Sequence, residues 1–194
     1  MNKKHPKELS DSMEAESIVV RGVDHIGITV SDMDQATTFF QKAFGAIVCY
    51  NGLTADQEPQ QGKQTEQRLG LKPGAKVVQI RMLRIGNSVN LELFRFEDTE
   101  QSEPAIASDL GVQHFGFYTD NLDEAVRRFE DAGGTLLSEP SELTGWESGT
   151  GDSSEPNRFV YGRTPWGMLI ELLSLPKGVR YPDETEAKRW EPND

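Results

Sequence analysis

V-D-H-I-G-I-T-V-S-D-M-D-Q-A-T-T-F-F-Q-K-A-F-G, residues 23–45, is written a second time in this chain as V-Q-H-F-G-F-Y-T-D-N-L-D-E-A-V-R-R-F-E-D-A-G-G, residues 112–134. The two stretches superpose without a gap at an offset of 89 (114 − 25). His25 falls on His114, Gly27 on Gly116, Asp34 on Asp123, Ala36 on Ala125, Phe40 on Phe129 and Gly45 on Gly134. A spacing this long exceeds any solenoid unit and marks a duplicated module. Chemistry is therefore expected in what the two copies jointly enclose.

Outward from the first copy, Ile18 to Val30 has the alternation of a strand. Ile26, Ile28 and Val30 share one face and His25, Gly27 and Thr29 the other. Ser31 or Asp32 can cap a helix over about Asp34 to Ala43, with Ala36, Phe39, Phe40 and Ala43 as its apolar stripe and Gly45 as its stop. A strand begins at Ile47, and the polar, Gln-rich stretch 51–73 is expected to be a long loop. Strands over Ala75 to Ile85 and Ser88 to Phe96 follow, joined at Gly86-Asn87 as a tight hairpin. Glu97 to Leu110 is an acidic linker.

The second copy repeats the scheme. A strand over Gln113 to Thr119, a helix over Leu122 to Ala132 and a short strand over Thr135 to Ser138 lead into a loop, 139–157. That loop carries Trp146 and Gly149-Thr150-Gly151, which lacks a following Gly-Lys-Ser/Thr and suits a lid better than a phosphate cradle. Strands over Arg158 to Arg163 and Met168 to Ser174 close the module. The expected class is α+β: two tandem βαβββ modules forming an open, cup-shaped mixed sheet. Residues 1–17 are expected to be a disordered arm, 18–103 the first module, 104–175 the second, and 176–194 a charged tail.

The chain has 194 residues, a net charge of −12 and a sequence pI near 4.7. That charge argues against nucleic acid and anionic membranes as partners. No apolar run is long enough to span a bilayer, and a lone cysteine, Cys49, cannot form an internal disulfide, so a cytoplasmic location is expected.

The ends of the modules carry the chemistry. V-N-L-E-L-F-R places Glu92 on the last strand of module one, and L-I-E-L-L-S places Glu171 on the last strand of module two. Ile26, Ile28, Phe115, Phe117, Ile170 and Leu172 are expected under the helices, so His25, Glu92, His114 and Glu171 face the open side. Carboxylates there are costly without a charge partner. One divalent cation among two imidazoles and two carboxylates resolves that cost. The donor set suits Zn²⁺, Ni²⁺, Co²⁺, Mn²⁺ or Fe²⁺ without choosing among them.

D-H-I-G-I-T-V-S-D, Q-H-F-G-F-Y-T-D and T-P-W-G-M-L-I-E-L together resemble the vicinal-oxygen-chelate superfamily, over about Val20 to Ser174. That superfamily includes glyoxalase I, methylmalonyl-CoA epimerase, extradiol dioxygenases and antibiotic-resistance proteins. The runs I-R-M-L-R-I-G-N-S-V-N-L-E-L-F and P-W-G-M-L-I-E-L-L-S-L-P look most like its cyclitol (valiolone-type) epimerases.

The resemblance implies a glyoxalase-like fold, one metal ion per site held by His25, Glu92, His114 and Glu171, and a homodimer. It also implies bidentate binding of neighbouring substrate oxygens. The expected activity is epimerisation or isomerisation of a small α-oxygenated carbonyl compound through a metal-stabilised enediolate, with Glu171 as first base and Glu92 as second. A glyoxalase I-like lyase uses the same ligands, but no glutathione-binding set is recognisable. An Fe²⁺ extradiol dioxygenase would need only His25, His114 and Glu171, and a sequestering protein no metal at all.

Overall fold

A computed structural model describes residues 22–192. The expected N-terminal arm lies outside them, as do the first residues of the expected opening strand. Module one runs β1 (His25–Thr29), α1 (Met33–Phe44), β2 (Ile47–Leu53), α2 (Lys63–Leu69), β3 (Lys76–Arg84) and β4 (Asn90–Glu97). Module two runs β5 (Phe115–Tyr118), α3 (Leu122–Asp131), β6 (Thr135–Leu136), β7 (Ser141–Glu142), β8 (Arg158–Arg163) and β9 (Leu169–Ser174). The class is α+β. The first sheet has the order β1-β4-β3-β2 and the second β5-β9-β8-β6, with β7 also on β8. β1 and β5 are edge strands, and no ladder among the described residues joins the two sheets.

Both main helices start and stop where their sequences require. Asp32 Oδ1 accepts from the backbone N–H groups of Asp34 and Gln35 at 2.9 and 2.8 Å, satisfying two donors that the first turn leaves unpaired. Gly45 ends α1 in the left-handed region (φ 66°), and its N–H returns to the last turn. Asn121 caps α3 in the same way, accepting from Glu124 N at 3.0 Å.

The stretch expected as a long loop departs from that reading. β2 continues to Leu53, and K-Q-T-E-Q-R-L forms α2 between Gly62 and Gly70. These are good helix formers, but seven residues with only Thr65 buried leave no apolar stripe to read. Glu66 anchors the exit, its carboxylate accepting from Gly74 N at 2.8 Å. The turn at Gly86-Asn87 is wider than a two-residue hairpin, because Ser88 N closes on Ile85 O and β4 begins at Asn90.

One aromatic core spans both modules. Phe39, Phe40 and Phe129 are fully buried, and Phe39 meets Phe129 edge-on with centroids 5.5 Å apart. Phe44 of α1 stacks on Phe117 of β5 at 4.4 Å, and Trp166 packs against Phe39 and Phe40. Helix α1 is thus seated as much on module two as on its own sheet. Gly162 of β8 admits the Phe129 ring, since a Cβ there would stand 2.6 Å from Cε1. Phe129→Ala should therefore cost about 3–5 kcal/mol, read as a fall in the urea midpoint; a loss below about 1 kcal/mol would mean that the ring is not a shared keystone.

On the solvent side of α3, Glu124 pairs with Arg127 and Arg128, which push its carboxyl down to about 2. A depressed carboxyl favours the folded state above its unfolded pKa, and that contribution disappears as pH falls through the folded value. The pairing should persist at pH 4 and fade only near pH 2. Carboxyl NMR giving an ordinary midpoint near 4 would contradict it.

Candidate metal and substrate site

In each module the first and last strands lie parallel, and the same register recurs. Gly27 sits opposite Glu92, and Gly116 opposite Glu171. Each histidine stands two residues before that glycine, on the same face. A Cβ on Gly116 would stand 3.4 Å from Glu171 Oε2, in contact with the carboxylate, whereas one on Gly27 would meet the Phe94 ring at 3.6 Å. His25 Nε2 lies 3.3 Å from Glu92 Oε2, and His114 Nε2 lies 3.4 Å from Glu171 Oε2.

The neighbouring residue holds each ring. His25 Nδ1 is 2.9 Å from Asp24 Oδ2, and His114 Nδ1 is 3.3 Å from Gln113 Oε1. An acceptor at Nδ1 keeps the proton there and leaves the Nε2 lone pair for a cation, the usual support of a metal-ligating histidine. The sequence reading missed Asp24 and Gln113. Their signal was present, because both carry a side-chain oxygen immediately before the duplicated histidine.

The two pairs differ in environment. The His25 and Glu92 side chains are 43% and 21% exposed, and those of His114 and Glu171 are 26% and 19%. Burial pushes the Glu171 carboxyl up, with the His114 ring opposing that and the charge of Glu147 adding to it. The Asp24 hydrogen bond holds the His25 imidazole above its ordinary value. Tyr161 of β8, directly across from Glu171, meets the His114 ring edge-on at 5.1 Å. Burial, chiefly, raises its phenol, with Glu171 contributing.

Each pair thus has the donors of half a metal site. Among the described residues, no group of three or more His, Cys, Asp or Glu side chains is close enough to share an ion. A cavity of about 470 Å³, bordered by Thr29, Gln113, Phe115 and Trp166, opens between β1 and the start of β5. The structure brings His25 to Glu92 and His114 to Glu171, and leaves the pairs apart. The two arginines of β3 stay out of the site: Arg81 bonds Asn51, Asp34 and Thr37 on the helix side, and Arg84 bonds Gly86 O. Trp166 is half-buried, packed against the core on one side and bordering the cavity on the other. Trp146 is exposed, on a short 3-10 turn (Gly145–Ser148).

Comparison with known proteins agrees with this architecture. Residues 24–149 match the family model of the Glyoxalase/Bleomycin resistance protein/Dioxygenase superfamily. The chain is 33% identical over 172 residues to a 2-epi-5-epi-valiolone epimerase from an Actinomyces species, covering 88% of each protein. A glyoxalase family protein from Bacillus cereus superposes with a TM-score of 0.61 at 23% identity, covering 84% of this chain and 97% of that one. A glyoxalase I mutant from Zea mays gives 0.51 at 15% identity over 78% of this chain and 43% of the maize chain. The duplicated strand pairs, their helices and the matched span all lead to one assignment: this chain belongs to the Glyoxalase/Bleomycin resistance protein/Dioxygenase superfamily.

Proposed function

We propose that the protein is a metal-dependent epimerase of a small α-oxygenated carbonyl compound, of the cyclitol ketone class. The observation that carries this reading is the repeated His–Glu pair with its tethered Nδ1, which presents an N/O donor set twice. The epimerase relative, similar over most of both chains, supports the reaction class. A divalent ion bound by His25, Glu92, His114 and Glu171 would supply Lewis-acid stabilisation of the charge that develops on the carbonyl oxygen.

The residues of the chain do the rest. Glu171 takes the proton from the carbon beside the carbonyl. Glu92, carrying a proton taken from solvent, delivers it to the other face; Glu171 then loses its proton to solvent and Glu92 regains one, so the stereocentre inverts with no net change of atoms. His25 and His114 hold their nitrogens toward the ion, oriented by Asp24 and Gln113.

The four side chains meet, in this proposal, when two copies associate. β1 and β5 are sheet edges, which favour coverage by a partner. Val23 and Val112, duplicated two residues before each histidine, are 67% and 72% exposed, and Leu110, two residues before Val112, is fully exposed. A second copy covering this apolar rim would bring its His114–Glu171 pair to the first copy's His25–Glu92 pair. No described helix is long and apolar enough to cross a membrane.

Glu171→Gln separates holding the ion from moving the proton. The variant should keep part of its metal by elemental analysis, yet lose about 10²–10⁴-fold in solvent-deuterium exchange into an α-hydroxy ketone. Wild-type exchange in a metal-replete variant would transfer the base role to Glu92. Wild-type protein that takes up no divalent metal on reconstitution would overturn the reading.

A further inference from the structure

A row of side chains crosses each sheet at the level of its glutamate, and the two rows differ at one place. In module two the row reads Gly116 on β5, Glu171 on β9 and Tyr161 on β8. In module one it reads Gly27 on β1, Glu92 on β4 and Met82 on β3. Directly opposed residues on neighbouring strands share a face, with Cβ atoms about 5 Å apart. Each glutamate thus has a glycine on its histidine side, and on the other a phenol in module two or a thioether in module one. Met82 is buried and has no hydrogen to donate. The next residue of its row, Tyr50 of β2, stands one strand farther from Glu92.

The Tyr161 ring is held from two sides. His114 meets it edge-on with centroids 5.1 Å apart at 81°, and Phe159, two residues earlier on β8, meets it at 5.7 Å and 81°. β5 and β8 flank β9 on opposite sides, so the first contact carries the Tyr161 side chain across β9, toward the His114–Glu171 pair. β8 itself lies inside the sheet, between β9 and the short strands β6 and β7. The phenol therefore stands on a rigid element with its direction constrained.

When a base removes the proton from the carbon beside a carbonyl, negative charge develops on the carbonyl oxygen, two bonds from that carbon. A donor for that oxygen must stand beside the base, and it is most effective when already oriented. Tyr161 meets both conditions at Glu171, and Met82 meets neither at Glu92. We propose that Tyr161 is a further catalytic residue, whose hydroxyl donates to the substrate's carbonyl oxygen while Glu171 takes the neighbouring proton. The phenol keeps its own proton throughout. This deepens the epimerase reading and rests on it. It also makes the two halves of the centre unequal, with the carbonyl turned toward module two.

Tyr161→Phe keeps the ring and removes only the hydroxyl, so the packing on His114 and Phe159 survives. Calorimetry on metal-loaded protein reads the contact without turnover. Acetohydroxamate, a chelating oxyanion, stands in for the charged intermediate, and dihydroxyacetone for the neutral ketone. The variant should bind acetohydroxamate about tenfold or more weakly and keep its affinity for dihydroxyacetone within about twofold. Its kcat for solvent-deuterium exchange should fall about 10²-fold. Met82→Leu should leave all three values within about twofold of wild type. Unaltered acetohydroxamate affinity in metal-replete Tyr161→Phe would overturn the contact even with exchange lost, since the phenol would then act only through Glu171. An equal loss in Met82→Leu would assign the effect to packing and overturn it too. Wild type that takes up metal but binds no acetohydroxamate would instead overturn the epimerase reading, and the proposal with it.

Discussion

The parallel ladder between the first and last strand of each module is the constraint on which the rest depends. Because β1 runs beside β4 and β5 beside β9, a histidine entering one strand is fixed two residues from a glycine, and that glycine faces a glutamate. The helix covers the opposite face. Duplication then writes the pair twice, with an acceptor for Nδ1 before each histidine.

The aromatic core decides how the two copies of that unit sit together. Phe39, Phe44, Phe117, Phe129 and Trp166 tie α1 to module two, so the chain has one interior although it has two sheets. This packing leaves β1 and β5 as edges with a cavity between them. The helix faces are thus spent on holding the modules together. The β1 and β5 edges and the exposed valines before each histidine remain at the surface.

Much of this was legible in the sequence because it rests on strict local rules. Alternation placed Ile28, Ile170 and Leu172 in the core, and the Asp32 cap and Gly45 stop delimit α1 as written. The four candidate residues were legible because His25 and Glu92 have counterparts in His114 and Glu171, but the pairing of each histidine with its own module's glutamate was not. Helix α2 was not legible either, since six polar residues and one leucine carry no periodic stripe. The burial of Asn157 was hidden for another reason: its partners are backbone atoms up to 21 residues away, and backbone contacts leave no mark on residue type. The separation of the two pairs was equally unreadable, because module packing depends on shape at Phe39 and Phe129 rather than on any motif.

In the proposed assembly, two half-sites from different copies combine into one four-ligand centre. A mixture of His25→Ala and His114→Ala proteins tests this most directly, since each variant alone lacks one histidine in every site. If sites form between copies, a mixed pair of chains contains one intact site, and co-refolding equal amounts should restore about a quarter of wild-type exchange activity. The restored activity should rise and fall with the fraction of mixed dimer. Two inactive variants that stay inactive when mixed, with mixed dimers present by mass measurement, would contradict the account and put all four ligands within one chain.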